Sequence, residues 1–144
     1  MRSNKDFEKN LSHNNLERLI RDGEHHQQDF KYKITDSRKI ARTLSAFSNT
    51  NGGRLLIGVK DNGQIAGVKD EDDIYMIESA SQLFLHPPID VTIEAHSING
   101  KVIWEISVAE GTEKPYAVEE KSGMRAYYRD MDENFVANAV LIQI

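Results

Sequence analysis

Residues 40–63 read IARTLSAFSNTNGGRLLIGVKDNG, and this stretch decides the fold. Ile40, Leu44 and Phe47 fall at i, i+4 and i+7, with Ala41 beside them, so the segment predicts a helix over residues 38–48 that packs one apolar stripe on a sheet. Asp36 or Ser37 is placed to cap it. Asn49-Thr50-Asn51-Gly52-Gly53 then forms a dense turn signal. The run RLLIGV over 54–59 has no polar alternation, as expected of a buried strand. Asp61-Asn62-Gly63 makes a turn, and residues 64–68 are expected to return as the hairpin partner.

Working outward, residues 1–13 are polar and predicted to be a flexible segment. Asn14-Asn15 can cap a short helix over 16–22, with Leu16, Leu19 and Ile20 inward and Gly23 at its C′ position. In QQDFKYKI (27–34), Phe30, Tyr32 and Ile34 alternate with Asp29, Lys31 and Lys33, which predicts a half-buried strand. Tyr32 is thereby assigned to the core. Downstream, acidic residues lead into a third helix over 72–85, stopped by Pro87-Pro88, and His86 reads as a loop residue. A hairpin follows, with Val91, Ile93 and Ala95 on one arm, Asn99-Gly100 as a type I′ turn, and Val102, Trp104, Ile106 and Val108 on the other. Residues 115–119 and 124–129 read as two short strands joined around Ser122-Gly123. The reading is a single α+β domain over 14–138, a mixed sheet with about three helices. Residues 139–144 form an apolar tail that docks, pairs with a second subunit, or marks a domain cut from a longer chain.

Composition limits what such a domain does. The chain has 144 residues, 28% of them charged, enough for one domain with its own core. No apolar stretch is long enough to span a membrane, and no secretory signal precedes the first helix. There is no cysteine, which excludes disulfides, thiolate metal sites and a cysteine nucleophile and fits a cytoplasmic location. The net charge of −5 argues against a protein that coats nucleic acid over its whole surface. The charge is uneven, however: residues 1–60 carry a net +5 and residues 61–144 a net −10. Lys31, Lys33, Arg38, Lys39 and Arg42 cluster in sequence. They fit either a local positive patch or an ordinary solvated strand and helix surface.

Most catalytic signatures can be discarded. Gly53 and Gly58 have P-loop spacing, but Val59-Lys60 follows and the intervening residues are strand-like, so ATP hydrolysis by that route is not expected. The five histidines lack the usual zinc spacings, and adjacent His25-His26 would point to opposite faces of a strand. What remains is a carboxylate set. Glu24 precedes the first strand, Asp29 lies on its polar face, and Asp61 ends the 54–59 strand. If those strands are neighbours, the three converge at one rim, and their oxygens suit Mg²⁺ or Mn²⁺. The plain alternative is that Asp61 is a turn residue and Asp29 pairs with Lys31 or Lys33.

Three segments together resemble the Schlafen AlbA-type DNA-binding domain family. Residues 24–31, EHHQQDFK, are similar to its E-x4-E-F-K opening. Residues 40–63, continued by Ile65-Ala66-Gly67, follow its helix, NT-x-GG, strand and GV-D-x-G core. Lys114-Pro115-Tyr116 and residues 125–129, RAYYR, match its late strands. The resemblance covers about residues 16–138. It implies a mixed-sheet α/β domain that binds nucleic acid, often within transcriptional regulators. It also implies, from members that cleave RNA through three acids, a site at Glu24, Asp29 and Asp61. The second acid is usually Glu, and Asp29 is one methylene shorter. Those nucleases clasp nucleic acid with two lobes, so a comparable groove here implies a homodimer.

The leading expectation is therefore a nucleic-acid-binding module, with enzymatic activity left open, that contacts phosphates through Lys31, Lys33, Arg38, Lys39, Arg42 and Arg129. Arg54 and Arg125 join them if the late strands lie nearby. Tyr32, Tyr127 and Tyr128 are candidates to stack on bases, with core packing the preferred role for Tyr32. The alternatives are a Mg²⁺- or Mn²⁺-dependent ribonuclease using the carboxylate trio, and a protein-interaction or dimerisation domain.

Overall fold

The structure is a computed structural model describing residues 15–137. The expected flexible segment 1–13 and apolar tail 139–144 lie outside the described residues. The chain runs α1 (residues 15–21), β1 (Gln28–Lys31), α2 (Ser37–Asn49), β2 (Gly53–Ile57), α3 (Asp73–Gln82), β3 (Leu85–His86), β4 (Thr92–Ile98), β5 (Lys101–Val108), β6 (Ala117–Glu120), β7 (Gly123–Asp130) and β8 (Glu133–Val136). The mixed α+β class is as expected, but there is not one sheet. Two four-stranded sheets form, in the orders β1-β2-β5-β4 and β3-β6-β7-β8. β1 and β2 are parallel and every other named pair is antiparallel.

α2 begins where Asp36 accepts a hydrogen bond from the Arg38 backbone N–H at 2.9 Å. Its buried stripe includes Ile40, Ala41, Leu44 and Phe47. These join Leu55, Ile57, Trp104 and Ile106 of the first sheet, Val118 and Tyr127 of the second, and Ile77 and Ala80 of α3 in one apolar cluster. The opposite face of the first sheet is also covered. There Leu16 and Ile20 of α1 pack on Phe30, Leu56, Val59, Ile98 and Ile103. Because both faces are buried, β2 reads as the continuous apolar run seen in the sequence.

The turn at Gly52-Gly53 owes its sequence to crowding. Gly52 has φ +72°, and a Cβ there would lie 2.8 Å from the Val108 carbonyl oxygen. A Cβ on Gly53 would stand 2.8 Å from the Phe47 ring and 2.9 Å from the Gln27 carbonyl oxygen. The β4–β5 turn has Asn99 and Gly100 both at positive φ, as a type I′ turn requires.

Several expectations are corrected. β1 stops at Lys31 rather than Ile34, since its partner β2 ends at Ile57 and Gly58, at φ +97°, turns away after donating to the Lys31 carbonyl at 2.8 Å. Tyr32 therefore leaves the ladder and is 39% exposed, not core. Asp29 does not face solvent: it is 3% exposed, because β7 covers its side of the strand with Arg129. Residues 64–68 make a single bridge, Val59 with Ile65, rather than a strand. His86 pairs with Ala117 in β3. β8 was not expected from the sequence.

Candidate nucleic-acid interface

β1 is the outer strand of its sheet, and its free edge is where the candidate residues meet. The corner 23–27 folds back on it, with His25 and Gln28 exchanging backbone hydrogen bonds of 2.9 and 3.2 Å. The buried Gln28 amide donates to the Leu19 and Gly23 carbonyls at 2.6 and 2.8 Å, which ties the end of α1 to the strand. Glu24 accepts from the Phe30 N–H at 3.2 Å. Main-chain groups of this edge are thus covered by side chains rather than left open.

The structure brings the three candidate carboxylates to this corner. Burial, a hydrogen bond with Asp29, and the charges of Asp29 and Asp61 raise the Glu24 pKa from 4.5 to about 7. Asp61 is exposed and lines a cavity of about 330 Å³ with Ile20, Arg21, Gly23 and Phe30. Asp29 is held by two cations: Arg129 Nη2 stands 3.1 Å from its Oδ1, and Lys31 Nζ 3.2 Å from its Oδ2. Oδ2 is buried and no aligned donor bonds to it. Three carboxylates gathered at one corner are a donor set that fits a hard divalent cation. Lys31 and Arg129 would compete with that cation for Asp29.

The basic residues divide into three groups. Lys31, Lys39 and Arg42 line one open cavity of about 590 Å³, together with Thr43, Tyr127, Glu133 and Asn134. In it Arg42 is locked to Glu120 by two 2.7 Å hydrogen bonds, which hold the guanidinium pKa above its ordinary value and the carboxyl below its own. Tyr127 donates its hydroxyl to the same carboxylate at 3.0 Å. Lys33 is exposed one step along the chain. Arg38 turns away, donating to the Glu119 carbonyl at 3.1 Å and lying over the Phe84 ring.

Arg129 is placed differently from a surface phosphate contact. It is 4% exposed and donates to the His25 and Gln28 carbonyls, Asp29 Oδ1 and Asn134 Oδ1. It is the cross-link between the two sheets under the basic cavity. Arg125 is exposed beside Ser122, and Arg54 is half-buried with a buried Nε that has no partner among the described residues.

Sequence reasoning missed three features. Asn49 donates to the Tyr116 and Tyr127 carbonyls at 2.9 and 2.8 Å and accepts from the Tyr116 N–H at 2.8 Å, so it pins α2 to the second sheet. Tyr32, once outside the core, lies between Lys60 and Lys69, whose ammonium groups sit 5.2 and 5.5 Å from its ring centre. Glu94, His96 and Glu105 meet on the β4–β5 hairpin. The NT-x-GG motif pointed to the first, the second depends on where the loops carrying Lys60 and Lys69 lie, and only the β4–β5 register reveals the third.

The comparisons with known proteins agree with this architecture. The family model described as Schlafen, AlbA_2 matches residues 24–138. The chain belongs to the Schlafen AlbA_2 family. Among curated proteins, none matches it. Of solved structures, the DIP2311 protein from Corynebacterium diphtheriae aligns with 78% of the chain at 22% identity and a TM-score of 0.58. The chain spans 22% of that protein's length. The N-terminal domain of an ATP-dependent DNA helicase RecG-related protein from Nitrosomonas europaea aligns over 78% of this chain and 84% of its own, at 20% identity and a TM-score of 0.52. At these identities the likeness is one of fold. Among the described residues, no helix is long and apolar enough to cross a membrane.

Proposed function

We propose that this Schlafen AlbA_2 domain binds nucleic acid through the face that carries the Lys31–Lys39–Arg42 cavity. The observation that carries this reading is the convergence of those three cations, from β1 and α2, on one open concave surface of an otherwise acidic protein. Phosphates would be neutralised there with release of counterions, giving affinity that falls steeply with salt. Exposed Tyr32 between Lys60 and Lys69, on the segment just after Lys31, adds an aromatic face with positive flanks, the pairing that single strands stack on. The name of the RecG-related neighbour fits the same reading. A second copy of the domain would double the patch, as a dimeric regulator would need.

The test is fluorescence anisotropy with labelled duplex DNA and structured RNA over a salt series. Binding at about 50 mM salt that weakens as salt rises, and that drops on Lys31→Gln and Lys39→Gln, is the expected result. No binding to either nucleic acid at that salt overturns it.

A second reading is favoured by one observation, the gathering of Glu24, Asp29 and Asp61 at one rim, where the two aspartates help to raise the Glu24 pKa. Those three residues would hold Mg²⁺ or Mn²⁺. The ion would supply an activated water for phosphodiester cleavage. Under this reading labelled RNA is shortened only when Mn²⁺ is present, and Asp61→Ala stops the shortening. Cleavage that persists in that variant removes the reading.

A further inference from the structure

The β4–β5 hairpin carries a second group of ligating side chains, far from the basic cavity in chain order and unrelated to nucleic-acid binding. Glu94 and Glu105 are direct cross-strand partners. Two like charges placed directly opposite each other on an antiparallel pair destabilise it, unless a cation lies between them. Among the described ion pairs, the cation-forming group that serves both is His96, two residues along β4 and therefore on the same face. Its Nε2 lies 2.9 Å from Glu105 Oε1 and 3.7 Å from Glu94 Oε2. One ring nitrogen holds one proton at most, yet two carboxylates face it.

That spacing is close to what a metal ion would impose. Zinc bound at 2.0–2.2 Å by nitrogen and carboxylate oxygen in a tetrahedron places its ligand atoms about 3.3–3.4 Å apart. The two His96 distances bracket this value, and all three ligand atoms lie within 4.8 Å of one another. Positions i, i+2 and the cross-strand partner also give three ligands on one face of a rigid hairpin. His96 and Glu105 are largely buried, with side-chain exposures of 12% and 20%, and Glu94 is open at 63%. The inner two ligands are held by the sheet, and the outer one leaves a coordination position to solvent.

We propose that Glu94, His96 and Glu105 form a binding site for a divalent first-row transition ion such as Zn²⁺. Two carboxylates and one neutral imidazole would balance the ion's charge, and binding would displace the proton that otherwise sits between His96 and Glu105. Three protein ligands with one open position is the donor count of a reactive or bridging zinc rather than of a closed structural one.

The test uses the full chain without an affinity tag. Calorimetric titration with Zn²⁺ near pH 7 should give one site, and Co²⁺ should give a d–d absorption band at the same stoichiometry. His96→Gln and Glu105→Gln should each weaken binding at least tenfold, with circular dichroism reporting whether they fold. His26→Ala should leave it unchanged, which separates this site from the paired histidines. For a variant that fails to fold, the wild-type His96 ring nitrogen resonance decides, because it must shift on zinc addition. No zinc binding in the micromolar range, or binding that survives His96→Gln, overturns the proposal.

Discussion

Arg129 Nη2 and Asp29 Oδ1 stand 3.1 Å apart with side-chain exposures of 1% and 5%, and they belong to different sheets. The pair fastens the outer strand of the first sheet to the middle of the second. A buried ion pair of this kind persists because its remaining hydrogen-bonding groups are used, and here the guanidinium also serves the His25 and Gln28 carbonyls and Asn134.

Arg129→Ala should therefore cost about 3–5 kcal/mol, since it leaves the His25 and Gln28 carbonyls without this donor and the buried Asp29 carboxylate with Lys31 as its remaining cation. Arg129→Lys should recover only a small part, because one ammonium cannot span acceptors arranged for a planar fork. Urea denaturation monitored by Trp104 fluorescence measures both. A loss under 1 kcal/mol for Arg129→Ala would contradict the structural role.

The Glu24 carboxyl predicts an unusual pH dependence. Folded Glu24 keeps its proton up to about pH 7, against 4.5 ordinarily, so between those values the folded state binds more protons than the unfolded chain. Its contribution is complete below about 4.5 and disappears as pH rises through about 7. The group is partly solvated, so the effect should be on the order of 1 kcal/mol. Glu24→Gln should flatten that slope and gain relative to wild type at pH 8. Chemical denaturation at a series of pH values checks this, and parallel slopes for the two proteins would refute it.

Asn49 distinguishes shape from hydrogen bonding. Asn49→Asp keeps the size and the acceptor for the Tyr116 N–H but sets a carboxylate oxygen against the Tyr116 and Tyr127 carbonyls. It should destabilise by about 2–4 kcal/mol, at least as much as Asn49→Ala, because the lost donors are replaced by repulsion. Thermal unfolding of the two variants side by side decides the order.

Glu120 masks part of the basic cavity by pairing with Arg42. Under the proposed function, Glu120→Gln should tighten nucleic-acid binding roughly three- to tenfold at low salt and steepen the salt dependence by about one charge. The same change should cost stability, since Arg42 and Tyr127 lose a charged partner. Anisotropy titrations at two salt concentrations measure the gain, and unchanged affinity would show that Arg42 takes no part.

How far the sequence foretold this arrangement depends on what each signal encodes. The apolar stripe of α2, the Asp36 cap and the Asn99-Gly100 turn were legible because each is a local pattern with one physical solution. The end of β1 was not, because Tyr32 and Ile34 continue the alternation and only the length of β2 stops it. β8 escaped notice because its turn places Met131 at φ +56°, a conformation usually marked by glycine or asparagine. In the candidate site, Glu24, Asp29, Lys31, Lys39 and Arg42 were all named from the sequence, although the burial of Asp29 was not. Arg129 looked like a surface cation because its burial depends on a second sheet that no local pattern reveals. The Glu94–His96–Glu105 group depends on hairpin register, so spacing rules for histidine alone pass over it.

The cross-link between Asp29 and Arg129 joins positions one hundred residues apart in the chain. If the acid drifts alone, the arginine's charge is left inside the protein without its carboxylate. Over generations the two behave as a single inherited character: a lineage that loses the acid must discard the arginine with it, or re-pair it from elsewhere. An aligned set of relatives should show that bond as a paired change between the strand that opens the domain and one that nearly closes it.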